Sequence, residues 1–189
     1  MSTIRSAPDV RMPEPNFVHP ELAPTESAGA KAARYVAAVA RISLGFTFLW
    51  AFVDKLFGFG FATPSAKAWI NGGSPTTGFL KGVEGPFKGL YNGIAGNALS
   101  DWGFMLGLLA IGTALILGIG MRIAAVAGSA LLVLMWTASL PMTTNPFLDD
   151  HLIYAEVLVL LALIGAGNTL GLGARWAKLP FVAKHGWLK

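Results

Sequence analysis

The sequence predicts an all-α integral membrane protein, a four-helix bundle with a long extracytoplasmic loop between its first and second helices. Three observations lead there. Hydrophobic residues make up 54% of the 189 positions and charged ones 13%, with a mean hydropathy of +0.59, which leaves too little polar surface for a water-soluble chain of this size. Apolar runs long enough to cross ~30 Å of hydrocarbon, which takes roughly 20 helical residues, recur four times along the chain. Cations gather before the first run, between the second and third, and after the fourth, whereas the connection from the third to the fourth has Asp149 and Asp150 instead.

Residues 1–30 hold Pro8, Pro13, Pro15, Pro20 and Pro24 among scattered charges, with no apolar run to form a signal-peptide core. This segment reads as a disordered cytoplasmic tail with His19 solvated in it. The domain proper covers 31–172. In its first span, 31–57, Ser43, Thr47, Trp50 and Asp54 share one helix face, a polar stripe expected to look into the bundle. Arg41, Phe48, Phe52 and Lys55 form the neighbouring stripe, whose two cations are expected to snorkel to opposite interfaces; Arg41 reads as a cytoplasmic-side anchor or a partner for lipid phosphate.

The connection 58–102 is rich in Gly and Pro and too long for a simple turn, so it is expected to have structure of its own. Pro86 is placed to begin an amphipathic helix through Phe87, Leu90, Tyr91, Ile94, Ala95 and Ala98, lying on the membrane or capping the bundle. The second span, 103–120, aligns Gly103, Gly107, Ala110, Ala114 and Gly118, a small-residue seam of the kind that lets helices approach closely in lipid. Arg122 marks a short turn into the third span, 123–140, which Pro141 ends. The fourth runs from about 150 to 170, with Asp149 or Asp150 placed to cap its free amides. Residues 173–189 mix Arg175, Lys178, Lys184 and Lys189 with large aromatics, a basic interfacial tail suited to an anionic leaflet. The cation distribution puts both termini on the cytoplasmic side of a multi-pass protein of the cell membrane.

Candidate chemistry sits at the mouth of the fourth span, Asn145-Pro146-Phe147-Leu148-Asp149-Asp150-His151-Leu152-Ile153-Tyr154-Ala155-Glu156. Ionisable groups are costly in hydrocarbon, so each must reach the surface, find a partner or serve a function. In the predicted topology the end of the first span brings Asp54 and Lys55 to the same outer side. Glu156 lies about 8 Å along the helix from His151, and Tyr154 shares a face with His151. With aromatic walls from Trp50, Trp102 and Trp136, these groups suit a quinone site: His151 as proton donor, Tyr154 as hydrogen-bonding partner, Asp54 and Glu156 as proton relays, and Lys55 attracting an anionic reductant. Plainer readings compete: Asp149 and Asp150 as helix-start residues, the tryptophans as an interfacial belt, Lys55 as half of a structural ion pair with Asp54 or Glu156.

Other chemistries fit less well. The absence of cysteine excludes disulfides and cysteine-ligated iron-sulfur clusters. No metal centre is expected at His151, which has acids but no second histidine beside it, and no haem b, since Met105, Met121, Met135 and Met142 are not joined by paired histidines. A net charge of +4, spread over both ends and the loops, argues against nucleic acid.

The stretch Arg41-Ile42-Ser43-Leu44-Gly45-Phe46-Thr47-Phe48-Leu49-Trp50-Ala51-Phe52-Val53-Asp54-Lys55-Leu56-Phe57-Gly58 resembles the first-helix signature of the DoxX/DoxD membrane proteins: an arginine, a Leu-Gly pair, then a lysine followed by a glycine. Gly165-Ala166-Gly167 is similar to the close of that family's last helix, and the likeness covers about 33–172. The resemblance implies a prokaryotic four-helix membrane bundle, related to the membrane subunits of thiosulfate:quinone oxidoreductase and to membrane-associated oxidoreductase assemblies. The glycine-rich insert and the Asp149-Asp150-His151 mouth look like those of an actinobacterial-type subgroup rather than of the founding subunits. The expected function is a membrane oxidoreductase subunit passing electrons from an outer-side reductant, such as a sulfur oxyanion, to membrane quinone. The alternatives are a non-catalytic scaffold or partner subunit of a redox complex, and a lipid or small-solute carrier.

Overall fold

The computed structural model describes residues 26–143 and 145–189, and every regular element among them is helical. The expected disordered tail falls almost wholly on residues 1–25, outside the described ones. In chain order the helices are α1 (Ala28–Phe57), α2 (Thr77–Lys81), α3 (Lys88–Ile94), α4 (Ala98–Leu117), α5 (Met121–Ala138), α6 (Asp150–Leu163), α7 (Gly173–Trp176) and α8 (Pro180–Lys184). Of these, α1, α4 and α5 are long and apolar enough to cross a membrane. The fourth apolar run stops short of the expected residue 170. Gly165 turns the chain at φ 67 and the short 3-10 turn Ala166–Asn168 follows, so α6 has 14 residues and a length of about 21 Å.

Helix starts follow their local chemistry. Ser27 accepts from the Ala30 amide at 3.2 Å, Asn97 from the Leu99 amide at 2.8 Å, and Asp149 from the Leu152 amide at 3.3 Å. The Asn97 cap begins α4 five residues before the expected start. The single amphipathic helix expected from Pro86 to Ala98 is divided: α3 ends at Ile94, Gly96 takes φ +74, and Ala98 belongs to α4.

α1 packs mainly on α4 and α5 on α6, while α4 and α5 are joined by the turn at Gly118–Gly120. The shared core is Leu44 and Phe48 of α1, Leu108, Ile111 and Leu115 of α4, Leu132 of α5, and Leu158 and Leu161 of α6. α1 is rotated relative to the sequence reading over most of its length. Of the stripe expected to face inward, Asp54 is buried while Ser43, Thr47 and Trp50 are exposed, and Ala38, Arg41, Leu44, Gly45 and Phe48 are buried with it. Thr47 can face outward because its hydroxyl donates to the Ser43 carbonyl at 3.1 Å within its own helix.

Arg41 therefore does not snorkel. It is fully buried, and its two terminal nitrogens donate to the carbonyls of Leu115, Ile116 (2.9 Å), Thr169 (3.2 Å) and Leu170 (2.9 Å). These carbonyls lie where α4 ends and where the chain turns after α6; Leu115 also accepts from the Gly118 amide at 3.2 Å, and the negative end of the α4 dipole favours the cation there. Gly118 lets the two turns approach: at φ +70, a Cβ on it would lie 2.7 Å from the Gly167 carbonyl and 3.0 Å from Arg41 Nη1. One arginine thus joins the middle of α1, the end of α4 and the segment after α6.

The same end of the bundle carries the C-terminal segment. The tail folds back as a cap: the Arg122 amide donates to the Lys189 carbonyl at 2.9 Å, the Arg122 guanidinium to Gly186 at 2.9 Å, and Trp176 Nε1 to Leu188 at 2.6 Å, with Val182 buried. The opposite end carries Asp54, Lys55, Asp101, Asp149, Asp150 and His151.

Candidate functional site

The residues expected to form one cavity are distributed among separate tasks. Asp54 is buried and spent on its own loop, accepting from the amides of Phe61 (3.4 Å) and Ala62 (2.9 Å) just past the end of α1. That arrangement is an anchored turn, with both carboxylate oxygens held by amides of the chain itself. Glu156 is exposed on α6, away from the face that packs on α5 through Ala155, Leu158 and Leu161. His151 is half-buried and pairs through Nδ1 with Asp149 at 2.7 Å, with Asp150 at 3.7 Å. Asp149, Asp150 and His151, consecutive in sequence, bring three potential ligand atoms within 4.8 Å of one another. Asp149 is already committed there, one oxygen to the helix cap and the other to the imidazole.

The aromatic walls also separate. Trp50 lies in an exposed ladder with Phe46 and Phe59 stacked at 6.0 and 6.1 Å and Phe61 edge-on at 5.2 Å. Trp102 is exposed and meets Trp69 edge-on at 4.7 Å. Trp136 donates to the Phe147 carbonyl at 3.2 Å and so holds the loop before α6, while Tyr154 is exposed on α6.

Lys55 takes a different path from its expected partners. Its side chain runs towards α4, with Nζ 5.9 Å from the centre of the Phe104 ring, and it borders a cavity of about 550 Å³. Residues of α4 form one wall of this cavity, from Ser100 through Gly103, Phe104 and Gly107 to Ile111. The half of α5 remote from the α4–α5 turn forms another, through Ala127, Leu131, Leu134 and Met135. Phe79 and Leu80 of α2, with Tyr91 and Ile94 of α3, complete it. Its volume falls within the range of small-molecule pockets, and its lining is aliphatic and aromatic apart from Lys55, Thr76, Ser100 and the Tyr91 hydroxyl. No residue of α6 contributes, and neither do Asp54, Trp50, Trp102 or Trp136.

The roof over the cavity is built from the long connection. Asp101, buried at the first turn of α4, accepts from Ser74 Oγ at 2.9 Å and from the amide and hydroxyl of Thr76 at 3.1 and 2.5 Å, which fixes the start of α2. Tyr91 Oη donates to the Leu134 carbonyl at 2.9 Å and lies 2.5 Å from Thr137 Oγ1, seating α3 on the end of α5. The insert that sequence reasoning left as a cap is what closes this space.

Gly103 and Gly107 change role accordingly. A Cβ on either would meet nothing within 4 Å, so this pair forms open cavity wall instead of a helix seam. Close contact occurs one face away: a Cβ on Gly112 would lie 2.8 Å from the Leu49 amide nitrogen and 3.0 Å from the Gly45 carbonyl, and one on Gly45 would lie 2.9 Å from the Ile116 nitrogen. A shallower hollow of about 380 Å³ between α2 and the end of α5 includes Glu84 as its charged lining residue. Comparison of the chain with protein-family models, with curated proteins and with solved structures found no match.

Proposed function

We propose that this protein is a membrane-embedded binding subunit that takes a lipid-soluble molecule into the space between α4 and α5, polar end towards Lys55. It serves as a carrier or as a non-catalytic partner of a redox assembly. The observation that carries this reading is the 550 Å³ apolar cavity bordered by a lysine, with glycines where side chains would otherwise fill it. Its position, with α4 and α5 both long and apolar enough to span a bilayer, supports access from the hydrocarbon layer. The cation-rich end at Arg122 and the C-terminal cap, opposite the acids, supports a cytoplasmic location for that end and an outer location for the cavity mouth.

Electron transfer to membrane quinone remains a narrower form of the same reading. A quinone ring in this cavity would have Lys55 as its ionisable neighbour, with His151 and Asp54 engaged elsewhere and Glu156 exposed on α6, so reduction would need protons from another source. The binding reading requires no such relay.

The test is extraction of the protein in mild detergent, followed by mass spectrometry of what dissolves out of it into organic solvent. Wild type is expected to retain a lipid-soluble compound in near-stoichiometric amount, and Gly107→Phe, whose ring points into open space, is expected to lose it while eluting as a folded protein. Equal retention by both proteins would refute the assignment of the cavity.

A further inference from the structure

From the charge environment of Lys55 we infer that the cavity selects amphiphiles with an anionic oxygen head, a carboxylate or phosphate on an apolar body. This rests on the binding reading above and names the ligand class. Each acid among the described residues is committed or faces elsewhere. Asp54, next in sequence, gives both oxygens to the amides of Phe61 and Ala62 and acts on Lys55 only through space, with no ion-pair contact. Asp101 is spent on Ser74 and Thr76, Glu84 on Lys88, and Glu26 on Arg34. Asp149 and Asp150 pair with His151, and Glu156 is exposed on α6. No carboxylate oxygen of the described residues lies within 4.0 Å of Lys55 Nζ.

The ammonium lies over the face of Phe104, which attracts a cation through its ring quadrupole, and it makes no hydrogen bond to another described residue. A half-buried cation at the edge of an apolar space, with Asp54 acting on it only through space, gains most from a ligand that brings a negative charge into direct contact. Charge-assisted hydrogen bonds are about twice as strong as neutral ones, and Coulomb attraction grows as water is excluded. A neutral carbonyl would satisfy one donor without balancing the charge. The polar lining residues Thr76 and Ser100 belong to the loop end of the cavity, near where α4 begins. Ile111, eleven residues and about 16 Å further along α4, lines the apolar end. The gradient from Lys55 to Ile111 matches a molecule with one charged end and one aliphatic chain.

The experiment is photocrosslinking of the full chain in phosphatidylcholine nanodiscs with three diazirine-bearing probes of equal chain length, headed by a carboxylate, an alcohol and a benzoquinone. Labelled peptides from α4 and α5 are quantified by mass spectrometry. The carboxylate probe is expected to label residues around Phe104, Leu131 and Leu134 about tenfold more efficiently than the alcohol or the quinone. Lys55→Met should abolish that preference while the alcohol probe still labels, which reports an intact cavity, and Lys55→Arg should restore it. Equal labelling by the carboxylate and either neutral probe in wild type would overturn the anionic-head inference and leave the cavity assignment standing. Labelling by no probe, or labelling unchanged in Gly107→Phe, would overturn both.

Discussion

Arg41→Leu is expected to cost on the order of 3–5 kcal/mol and to prevent accumulation of a folded protein. The leucine leaves the carbonyls of Ile116, Thr169 and Leu170 without the donors that now satisfy them and Leu115 with the Gly118 amide alone, and an unsatisfied buried polar group costs about 1–3 kcal/mol. Arg41→Lys is expected to recover only part of the loss. An ammonium keeps the charge, but its three donors radiate from one point and cannot reproduce the planar fork that spans Leu115 to Leu170. Thermal unfolding in detergent, followed by size-exclusion recovery, checks both variants; an Arg41→Leu midpoint within a few degrees of wild type would mean the carbonyl clamp contributes little.

A comparably large effect is expected at the α1–α4 crossing. In Gly112→Leu the new Cβ would lie 2.8 Å from the Leu49 nitrogen and 3.0 Å from the Gly45 carbonyl, so backbone must move. Overpacking of this kind costs typically 1–3 kcal/mol, and contact with main chain places it at or above the upper end. Gly107→Leu, five residues away on the same helix, is expected to change stability by less than about 1 kcal/mol, since its Cβ meets nothing and leucine is the better helix former. Unfolding midpoints of the pair measured together provide the check. Equal destabilisation by the two substitutions would contradict the division between a packed face and a cavity face.

That division shows how far the sequence reading reached. Apolar run length places α1, α4 and α5 to within five residues, and the two aspartates before the last run mark its cap, which is Asp149, because both signals are local. Facing was harder. Periodicity put Gly103, Gly107 and Gly118 on one stripe, but it has no knowledge of what stands opposite, so a cavity wall and a packed seam look alike. The polarity of Ser43, Thr47 and Trp50 suggests an inward face, but Thr47 satisfies its hydroxyl on the Ser43 carbonyl and needs no partner from another helix. Arg41 reads from sequence as a cytoplasmic-side anchor or a partner for lipid phosphate. Carbonyls freed by turns after α4 and α6 supplied the acceptors instead, and those turns lie 74 to 129 residues away in sequence.

Of Lys55, His151, Glu156 and Asp54, Lys55 alone lines the cavity between α4 and α5. Lys55 was singled out as an ionisable group near the end of an apolar helix, and it borders the cavity. His151, Glu156 and Asp54 were grouped with it because helix ends on one side of a bundle are near one another. Proximity of ends does not set the direction of side chains. Asp54 and Lys55 are adjacent, and so they leave the helix about 100° apart: one meets the loop amides and the other meets Phe104. The roof from α2 and α3 had no signature beyond a long Gly-rich segment, since Asp101 with Thr76 and Tyr91 with Leu134 are tertiary pairings.

The central claim is that the space between α4 and α5 is filled by a ligand and not by the protein itself. An experimental structure of the protein in lipid nanodiscs tests it most directly. The account predicts elongated density running from Lys55 Nζ past Phe104 towards Ile111, with Gly103 and Gly107 against it. Contact between Leu131 and Gly107 that closes the space, with Lys55 paired to a carboxylate of the chain, would contradict it.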